Sequence, residues 1–239
     1  MKRKPRIGIT AEYYFKPNDS VSHGSIQLPW NYAEMVHEVG GNPIILPATT
    51  DVESISEIID GWLIPGNPED MNANLYGEEN HRLSVPQHPM RYEFESQLFA
   101  ALPKQLPILG VCYGSQFLNV YHGGSLHQHL PDLLDHDDHN NGAFQEYRIV
   151  KGSRLQGIMK KDSIFGVCYH HQAVHKIGDG LRVGAYHQDG TIEAIEGSGD
   201  RWMIGFQWHP ERAPDLDDSR RIFEAFIEEA CCFSAKSVT

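Results

Sequence analysis

The most constraining feature of this chain is a short glycine-flanked turn with a cysteine at its centre. The segment GVCYG, residues 110–114, separates an apolar strand at 107–111 from a helical run at 115–121. The glycines let the backbone fold sharply from strand into helix, so the central side chain stands clear of the sheet above the helix's first amides. A thiol held there lies at the positive end of a helix dipole, which favours the thiolate. The turn therefore predicts a nucleophilic Cys112 on an α/β sheet.

A second motif supplies the groups that a cysteine nucleophile needs. The segment GFQWHPE, residues 205–211, ends a predicted strand with His209, Pro210 and Glu211. In an extended segment residues two apart point the same way, and a proline between them opposes helix formation. Glu211 can then orient the His209 imidazole, which takes the thiol proton and later gives it to a leaving amine. The sequence predicts that Cys112, His209 and Glu211 act together on a carbonyl compound.

The tetrahedral intermediate of such a reaction needs two amide donors. One predicted donor is the backbone N–H of Tyr113, the residue after the nucleophile. The other is Gly66, which directly follows the predicted strand 61–65. That position lies at the carboxyl edge of the sheet, where open α/β proteins place their ligand sites.

Hydrophobic periodicity predicts an α/β fold with a mostly parallel central sheet, a helical layer and a β-rich second half. The predicted strands of the first half are 6–10, 43–46, 61–65 and 107–111, with helices at 30–39, 52–59, 91–102 and 115–121. The predicted loops are 66–90 and 130–144. The second half is predicted to contain strands at 147–150, 181–186, 191–196 and 202–206, and a closing amphipathic helix at 218–231.

Composition restricts the function classes. The 239 residues carry a net charge of −12, which argues against sequence-independent binding to nucleic acid. The chain has no apolar run of membrane-spanning length and no signal-peptide pattern at its start, so we expect a cytoplasmic protein. The length suits a single domain over residues 1–239, and four cysteines suit reduced thiols.

With these motifs in place, the chain resembles the class I glutamine amidotransferase-like family and, within it, the gamma-glutamyl-gamma-aminobutyrate hydrolases of the peptidase C26 group. The stretches that carry the resemblance are PILGVCYGSQFLNVYHGGSLHQHL, DGWLIPGNPEDMNANLYGEE, HHQAV, DGTIEAIE and GFQWHPE. The resemblance implies a flavodoxin-like doubly wound fold and a thioester formed between the cysteine and a γ-glutamyl group. It implies no cofactor and a small-molecule γ-glutamyl substrate, and it leaves a homodimer and a synthase partner open.

The resemblance also assigns roles residue by residue. Cys112, His209 and Glu211 match the triad, and Gly66 and Tyr113 match the oxyanion-hole positions. Five residues match, or lie next to, the family's positions around the bound glutamyl group: Asn67, Gln116, His170, His171 and Gln172.

The chain departs from the family pattern at four places. Tyr113 replaces the usual arginine after the nucleophile, and Pro65 replaces the first glycine of a Gly-Gly pair. Tyr92 stands where an aspartate is common, and Cys168 where a serine is usual. We expect these changes to affect the pocket for the amine half of the substrate.

Histidines are concentrated after the elbow helix. The candidates for a metal site are His122, His127, His129, His136 and His139, beside Asp137 and Asp138. They run from a helix into an acidic loop without a cysteine pair, a pattern that is not typical of a zinc site. The sequence therefore predicts a solvated loop and no metal.

The residues leave three other functions open. A glutaminase subunit that passes ammonia to a separate synthase would use the same triad, and a non-catalytic binding protein could keep the scaffold. An α/β-hydrolase esterase with a cysteine elbow fits less well, because that fold places its acid before its histidine, whereas Glu211 follows His209.

Overall fold

The chain folds around one large mixed β-sheet, seen in a computed structural model that describes residues 3–16, 18, 21–48, 51–136 and 138–236. Asp137 of the predicted histidine-rich loop lies outside the described residues. The strands are β1 (Arg6–Thr10), β2 (Glu12–Phe15), β3 (Gly24–Gln27), β4 (Asn42–Leu46), β5 (Gly61–Ile64), β6 (Ile108–Val111), β7 (Leu126–His127), β8 (Ala143–Ile149), β9 (Ser163–Cys168), β10 (Ala173–Val174), β11 (Leu181–Tyr186), β12 (Ile192–Gly197) and β13 (Met203–Phe206).

Helices cover this sheet. They are α1 (Trp30–Glu38), α2 (Val52–Ile58), α3 (Pro89–Ala101), α4 (Tyr113–Tyr121), α5 (Arg154–Met159) and α6 (Asp217–Lys236), with 3₁₀ turns at Ala73–Tyr76, Leu130–Asp132 and Pro210–Arg212. Local signals explain several boundaries: the Asp51 side chain accepts a hydrogen bond from Ser54 N at the start of α2, and Pro89 occupies the first turn of α3. Among the described residues, no helix combines the length and apolarity needed to cross a bilayer.

The sheet has a parallel half with flavodoxin-like strand order. The strands β4, β1, β5, β6 and β13 pair in parallel in that spatial order. Numbered along the chain these five strands read 2-1-3-4-5, the doubly wound order in which ligands bind at the carboxyl edge where the order reverses. The predicted α/β class and mostly parallel core are confirmed.

The β-rich second half extends the same sheet. Strands β12, β11, β8 and β9 continue antiparallel from β13, so the predicted β-rich portion is continuous with the parallel strands. This extension brings residues 139–193 toward the edge that carries the elbow.

Side chains alternate across the parallel strands and fill a core on each face. Ile7, Ile9 and Leu63 pack with α1 and α6, whereas Trp62 and Ile64 pack on the other face with α3 and α4. The inward residues of α6 are those its amphipathic pattern predicted: Ile222, Phe223, Phe226, Ile227 and Ala230.

Several predicted loops contain structure. The predicted loop 66–90 includes the turn Ala73–Tyr76 and the start of α3, and the predicted loop 130–144 ends inside β8. The sequence patterns also missed the hairpin of β2 and β3, the short helix α5, and strands β7, β9 and β10. These elements are two to six residues long, and their sequences did not stand out from the loops around them.

The elbow turn depends on close backbone contact. A methyl group at Gly114 would lie 2.1 Å from the carbonyl oxygen of Ile64, and one at Gly110 would lie 2.6 Å from the carbonyl of Gly114. Both clashes are with backbone, which cannot move aside without disturbing β5 or α4. The two glycines therefore let α4 start directly against the sheet.

We expect Gly114→Ala to lower the free energy of unfolding by about 3 kcal/mol or more, because the added methyl overpacks a backbone contact. Gly157→Ala is the matched control, since nothing lies within 4 Å of its added methyl and it sits inside α5. The control should be stabilising by about 0.5–1 kcal/mol. Urea unfolding measures both changes, and an unaltered Gly114→Ala midpoint would contradict the close-contact explanation.

Candidate active site

Cys112 stands at the apex of the elbow in a backbone conformation that side chains rarely adopt. Its φ is 50° and its ψ is −105°, and its N–H donates to Phe206 O at 2.7 Å, which ties the elbow to β13. The Cys112 carbonyl accepts from the amides of Ser115 and Gln116. The two preceding helix amides, including that of Tyr113, have no partner within the helix. The strained apex and these amides have the geometry of a nucleophile elbow.

His209 and Glu211 form a buried pair beside this cysteine. Nδ1 of His209 lies 2.7 Å from Oε1 of Glu211, and the two side chains are 3% and 0% exposed. The imidazole also interacts with the Cys112 thiol.

The prediction that this segment stays extended was wrong: Pro210 begins the 3₁₀ turn Pro210–Arg212, because a proline suits the first position of a helical turn. The tight turn brings Glu211 back to His209.

The electrostatics of the pair favour an imidazolium. Burial alone lowers the pKa of His209, but Glu211 and Cys112 more than offset it and raise the pKa to about 9. A protonated His209 next to Cys112 is suited to stabilise a thiolate and to donate a proton to a leaving group.

We expect His209 to make stability depend on pH. Its pKa of about 9 in the folded protein exceeds the ordinary value of 6.5, so the folded state binds more protons between these values. Its stabilisation is fully present below pH 6.5 and is lost as pH rises through about 9. Urea unfolding should be measured near pH 6.5 and near pH 9. Between these two values, the free energy of unfolding should fall by about 3 kcal/mol more in the wild type than in His209→Gln. Equal losses in the two proteins would contradict a raised pKa.

Gly66 lies against His209 and Cys112, where the sequence predicted the second oxyanion donor. A Cβ at this position would lie 2.9 Å from Cε1 of His209 and 3.4 Å from Cβ of Cys112. Its N–H donates to the hydroxyl of Tyr32 at 2.9 Å. The role of Gly66 in an oxyanion hole stays a prediction, and in this conformation its amide is engaged by a phenol.

Tyr32 is a residue that the sequence analysis missed. Burial and the Glu211 carboxylate raise its pKa well above the usual value, so the phenol stays neutral and can donate to Glu211 while accepting from Gly66. It therefore links the predicted oxyanion loop to Glu211. No motif marks Tyr32, which lies in α1 almost 180 residues before Glu211.

The side chain of Tyr113 points into the core. Its hydroxyl donates to Oε2 of Glu95 at 2.8 Å, and the guanidinium of Arg91 lies 4.1 Å from the centre of its ring. Arg91 also donates to Oε1 of Glu95 and, at 2.8 Å, to the carbonyl of Pro65. Tyr113 stands where the family resemblance implies an arginine. Its side chain packs and hydrogen-bonds within a buried network that supports the loop before Gly66. It does not line the cavities described next.

A small cavity of about 70 Å³ lies beside Cys112. The structure brings the residues predicted to surround the glutamyl group together here, and the lining set includes Asn67, Gln116, His170, His171 and Gln172. Several of them also brace the backbone: Nε2 of Gln116 donates to Gln172 O at 3.2 Å, and Oε1 of Gln172 accepts from Met71 N at 3.2 Å. His171 is oriented by Asp70, at 2.8 Å. Their roles toward a substrate stay predictions.

A larger cavity of about 570 Å³ is lined by His209 and shares Asn67 and His171 with the small cavity. Glu12, Tyr14 and Gln27 of the β2–β3 hairpin line it, together with Arg212. The guanidinium of Arg212 stacks on the ring of Tyr169 at 4.2 Å. The sequence analysis missed these residues, although the position of Arg212 directly after Glu211 was an available signal.

The histidine-rich loop differs from the prediction. His139 is buried at 2% exposure, and its ring nitrogens contact Asp189 and Glu193, so the prediction of a solvated loop was wrong at this position. The two carboxylates come from the β11–β12 turn and from β12, about 50 residues further along the chain.

Comparisons with known proteins show the family of the chain. The family model described as Peptidase C26 matches residues 5–211. A protein named as a putative glutamine amidotransferase from Mycobacterium tuberculosis is 38% identical over 98% of this chain and 77% of its own length. The gamma-glutamyl-gamma-aminobutyrate hydrolase of Escherichia coli O157:H7 is 33% identical over 86% of this chain and 87% of its own length.

A solved structure has the same fold. It is described as a putative GMP synthase subunit from Thermoplasma acidophilum, and it superposes with a TM-score of 0.68 at 16% identity, covering 100% of both chains. At this identity the likeness concerns the fold. The family match and the relatives above 30% identity decide the classification: this chain belongs to the peptidase C26 family and has a glutamine amidotransferase-like fold.

Proposed function

We propose that this chain is a cysteine-dependent hydrolase that cleaves a γ-glutamyl amide to glutamate and an amine. The observation that carries the proposal is the buried His209–Glu211 pair, at 2.7 Å, beside a cysteine at the first amides of α4. The similarity to gamma-glutamyl-gamma-aminobutyrate hydrolases supports the substrate class.

The proposed reaction has two halves. The Cys112 thiolate attacks the γ-carbonyl, and the oxyanion is stabilised by the Tyr113 amide and by Gly66 once its amide leaves the Tyr32 hydroxyl. The His209 imidazolium donates its proton as the C–N bond breaks, which leaves a glutamyl thioester and a free amine. Neutral His209 then takes a proton from water, whose oxygen attacks the thioester and releases glutamate and the Cys112 thiolate. The steps use only groups of this chain and water.

The two cavities suggest how the substrate is divided. The small cavity beside Cys112 suits the glutamyl half, because amide and imidazole groups line it together with Glu69 and Asp70, whose carboxylates suit an α-ammonium group. The larger cavity suits the amine half, and it carries both a carboxylate, Glu12, and a cation, Arg212. Cleavage at Cys112 would then take place where the two cavities approach each other.

A screen of γ-glutamyl conjugates tests the proposal. Conjugates of a carboxylated amine, a diamine and a neutral amine should be compared by the rate at which they release glutamate. We expect at least one conjugate to be cleaved, and cleavage to be absent in Cys112→Ser. A complete lack of glutamate release across the panel would contradict the hydrolase assignment.

A glutaminase subunit is the second candidate. It is favoured by the 38% identical relative named as a glutamine amidotransferase, and such a subunit would pass ammonia to a separate synthase. Recovery of a stoichiometric synthase partner, together with glutaminase activity that rises on mixing, would favour it over the stand-alone hydrolase. A non-catalytic binding protein on this scaffold would show no turnover that depends on Cys112.

A further inference from the structure

A second group of ionisable side chains lies apart from the triad, where the loop before β8 meets the turn between β11 and β12. We call His136, His139, His187 and Asp189 the histidine cluster. Around Oδ2 of Asp189 lie Nε2 of His139 at 2.7 Å, Nδ1 of His187 at 2.9 Å and Nε2 of His136 at 3.4 Å. Three imidazoles therefore converge on a single carboxylate oxygen.

The hydrogen-bond partners of a neutral His187 leave its Nδ1 without a proton to donate to Asp189. Nε2 of His187 contacts the Oε1 acceptor of Gln145 at 3.4 Å, so a neutral ring carries its proton there. The Nδ1 lone pair of His187 then faces the acceptor oxygen of Asp189. His187 Nδ1 is buried and has no hydrogen-bond partner within the described part of the chain. Either a second proton on this ring or a metal ion bound by both atoms compensates the contact.

A second carboxylate lies behind the cluster. Oε1 of Glu193 lies 3.1 Å from Nδ1 of His139 and 3.5 Å from Nε2 of His170, and the side chain of Glu193 is 0% exposed. A neutral imidazole has one N–H, so His139 can donate to Glu193 or to Asp189, not to both. Over the described ranges, no Lys or Arg forms an ion pair with either carboxylate, although buried carboxylates need compensating charge.

The distances suit a tetrahedral metal ion. Bonds of about 2.0–2.1 Å from zinc to nitrogen or oxygen place neighbouring ligand atoms roughly 3.3 Å apart. The separations of 2.7 and 2.9 Å from Asp189 Oδ2 to the His139 and His187 nitrogens are shorter than this value, and a small outward shift of the two rings reaches it. The donor atoms of His139, His187 and Asp189 all lie within 4.8 Å of one another. The main-chain N–H of Thr191 holds the other oxygen of Asp189 at 2.8 Å, so the carboxylate is already oriented.

We propose that the histidine cluster binds one Zn²⁺ ion, a site that the sequence analysis did not predict. His139 Nε2, His187 Nδ1 and Asp189 Oδ2 are the ligands, the two histidines being buried, and a water completes the tetrahedron. Imidazole and carboxylate are a donor set that zinc accepts. Oε1 of Glu193 lies 3.1 Å from Nδ1 of His139, the position of a carboxylate that orients the ring of a zinc-bound histidine.

The site has a structural consequence for the candidate active site. The His139 carbonyl accepts a hydrogen bond from His170 N at 2.8 Å, and His170 lines the small cavity beside Cys112. Zinc would tie the loop before β8 to the β11–β12 turn and so hold the segment from His170 to Gln172 in place. The metal would brace the pocket and take no part in the chemistry.

Zinc stoichiometry tests the proposal in a protein without a polyhistidine tag. The thiols are removed first by changing Cys112, Cys231 and Cys232 to serine, since thiolates also bind zinc. Metal-depleted protein is titrated with Zn²⁺, and bound metal is measured by elemental mass spectrometry after gel filtration. We expect one Zn²⁺ per chain in the parent, and at least about 100-fold weaker binding in His187→Ala and Asp189→Asn. Glu193→Gln should weaken binding by about 10- to 100-fold.

Controls separate this site from other histidines. His37→Ala removes an exposed histidine of α1 and should leave the stoichiometry unchanged. In case a cluster variant fails to fold, Co²⁺ is added to the otherwise unaltered parent, where intense visible bands indicate tetrahedral coordination. A parent that binds no zinc, binding that persists in both His187→Ala and Asp189→Asn, or weak octahedral-type Co²⁺ bands would each overturn the proposal.

Discussion

Cys112→Ser should lower kcat/KM for a γ-glutamyl amide by about 100,000-fold or more, leaving the fold intact. A serine hydroxyl is a much weaker nucleophile than a thiolate, and removal of a nucleophile from a triad costs on the order of a million-fold in a well-studied protease. Cys112 is the side chain at the strained apex, beside an imidazole whose pKa is raised to about 9. Steady-state kinetics across a saturating range of substrate measures the loss.

Cys168→Ser is the matched control for this change. Cys168 is buried in β9, and burial raises the pKa of its thiol to about 11, so it stays protonated at neutral pH. Serine differs from cysteine only in the replacement of sulfur by oxygen, which makes the substitution conservative. We expect Cys168→Ser to keep activity within a few-fold of the wild type. Equal losses in Cys112→Ser and Cys168→Ser would mean that the reaction does not depend on the elbow cysteine.

Glu211→Gln should lower kcat by about 10,000-fold with little change in KM. The Glu211 carboxylate lies 2.7 Å from Nδ1 of His209, and its negative charge stabilises the imidazolium. A neutral amide cannot supply that charge, and the equivalent change in a serine protease triad has an effect of this size. His209→Ala removes the base itself and should reduce activity to the level of Cys112→Ser. The three variants should not have additive effects, because the residues act as a unit.

The pH dependence gives a separate check on Glu211. Loss of its charge should lower the pKa of His209, since Glu211 is the main group that raises it. The pH profile of the residual activity in Glu211→Gln should therefore shift toward lower pH. Unchanged activity and an unchanged profile would show that another group orients His209.

The sequence predicted an element or a site residue most accurately where a local pattern also determines its place in the sheet. β1 and β11 occur with the predicted bounds because their apolar runs are bounded by turn-forming residues. The positions of Cys112 and His209 were predictable because each motif ends a buried strand at the same sheet edge. The β2–β3 hairpin was missed because its two four-residue strands, EYYF and GSIQ, show no strict alternation of apolar and polar residues, although it lines the larger cavity.

Other contacts depend on packing that no local pattern encodes. Tyr32 reaches Gly66 and Glu211 only because α1 crosses the sheet near the elbow. His139 is buried because β12 brings Glu193 to it from 54 positions away, and the loop sequence alone cannot reveal that partner. The Pro210 argument failed for a local reason, since proline permits a helical turn that begins at itself.

The most direct test of the account is the mass of the enzyme during turnover. Wild-type protein is mixed with a γ-glutamyl amide, quenched with acid at short times, digested and analysed by mass spectrometry. The account predicts one glutamyl group on the peptide that contains Cys112, formed before glutamate accumulates and absent in Cys112→Ser. Glutamate release with no adduct at any quench time, or an adduct on a different residue, would contradict the thioester mechanism.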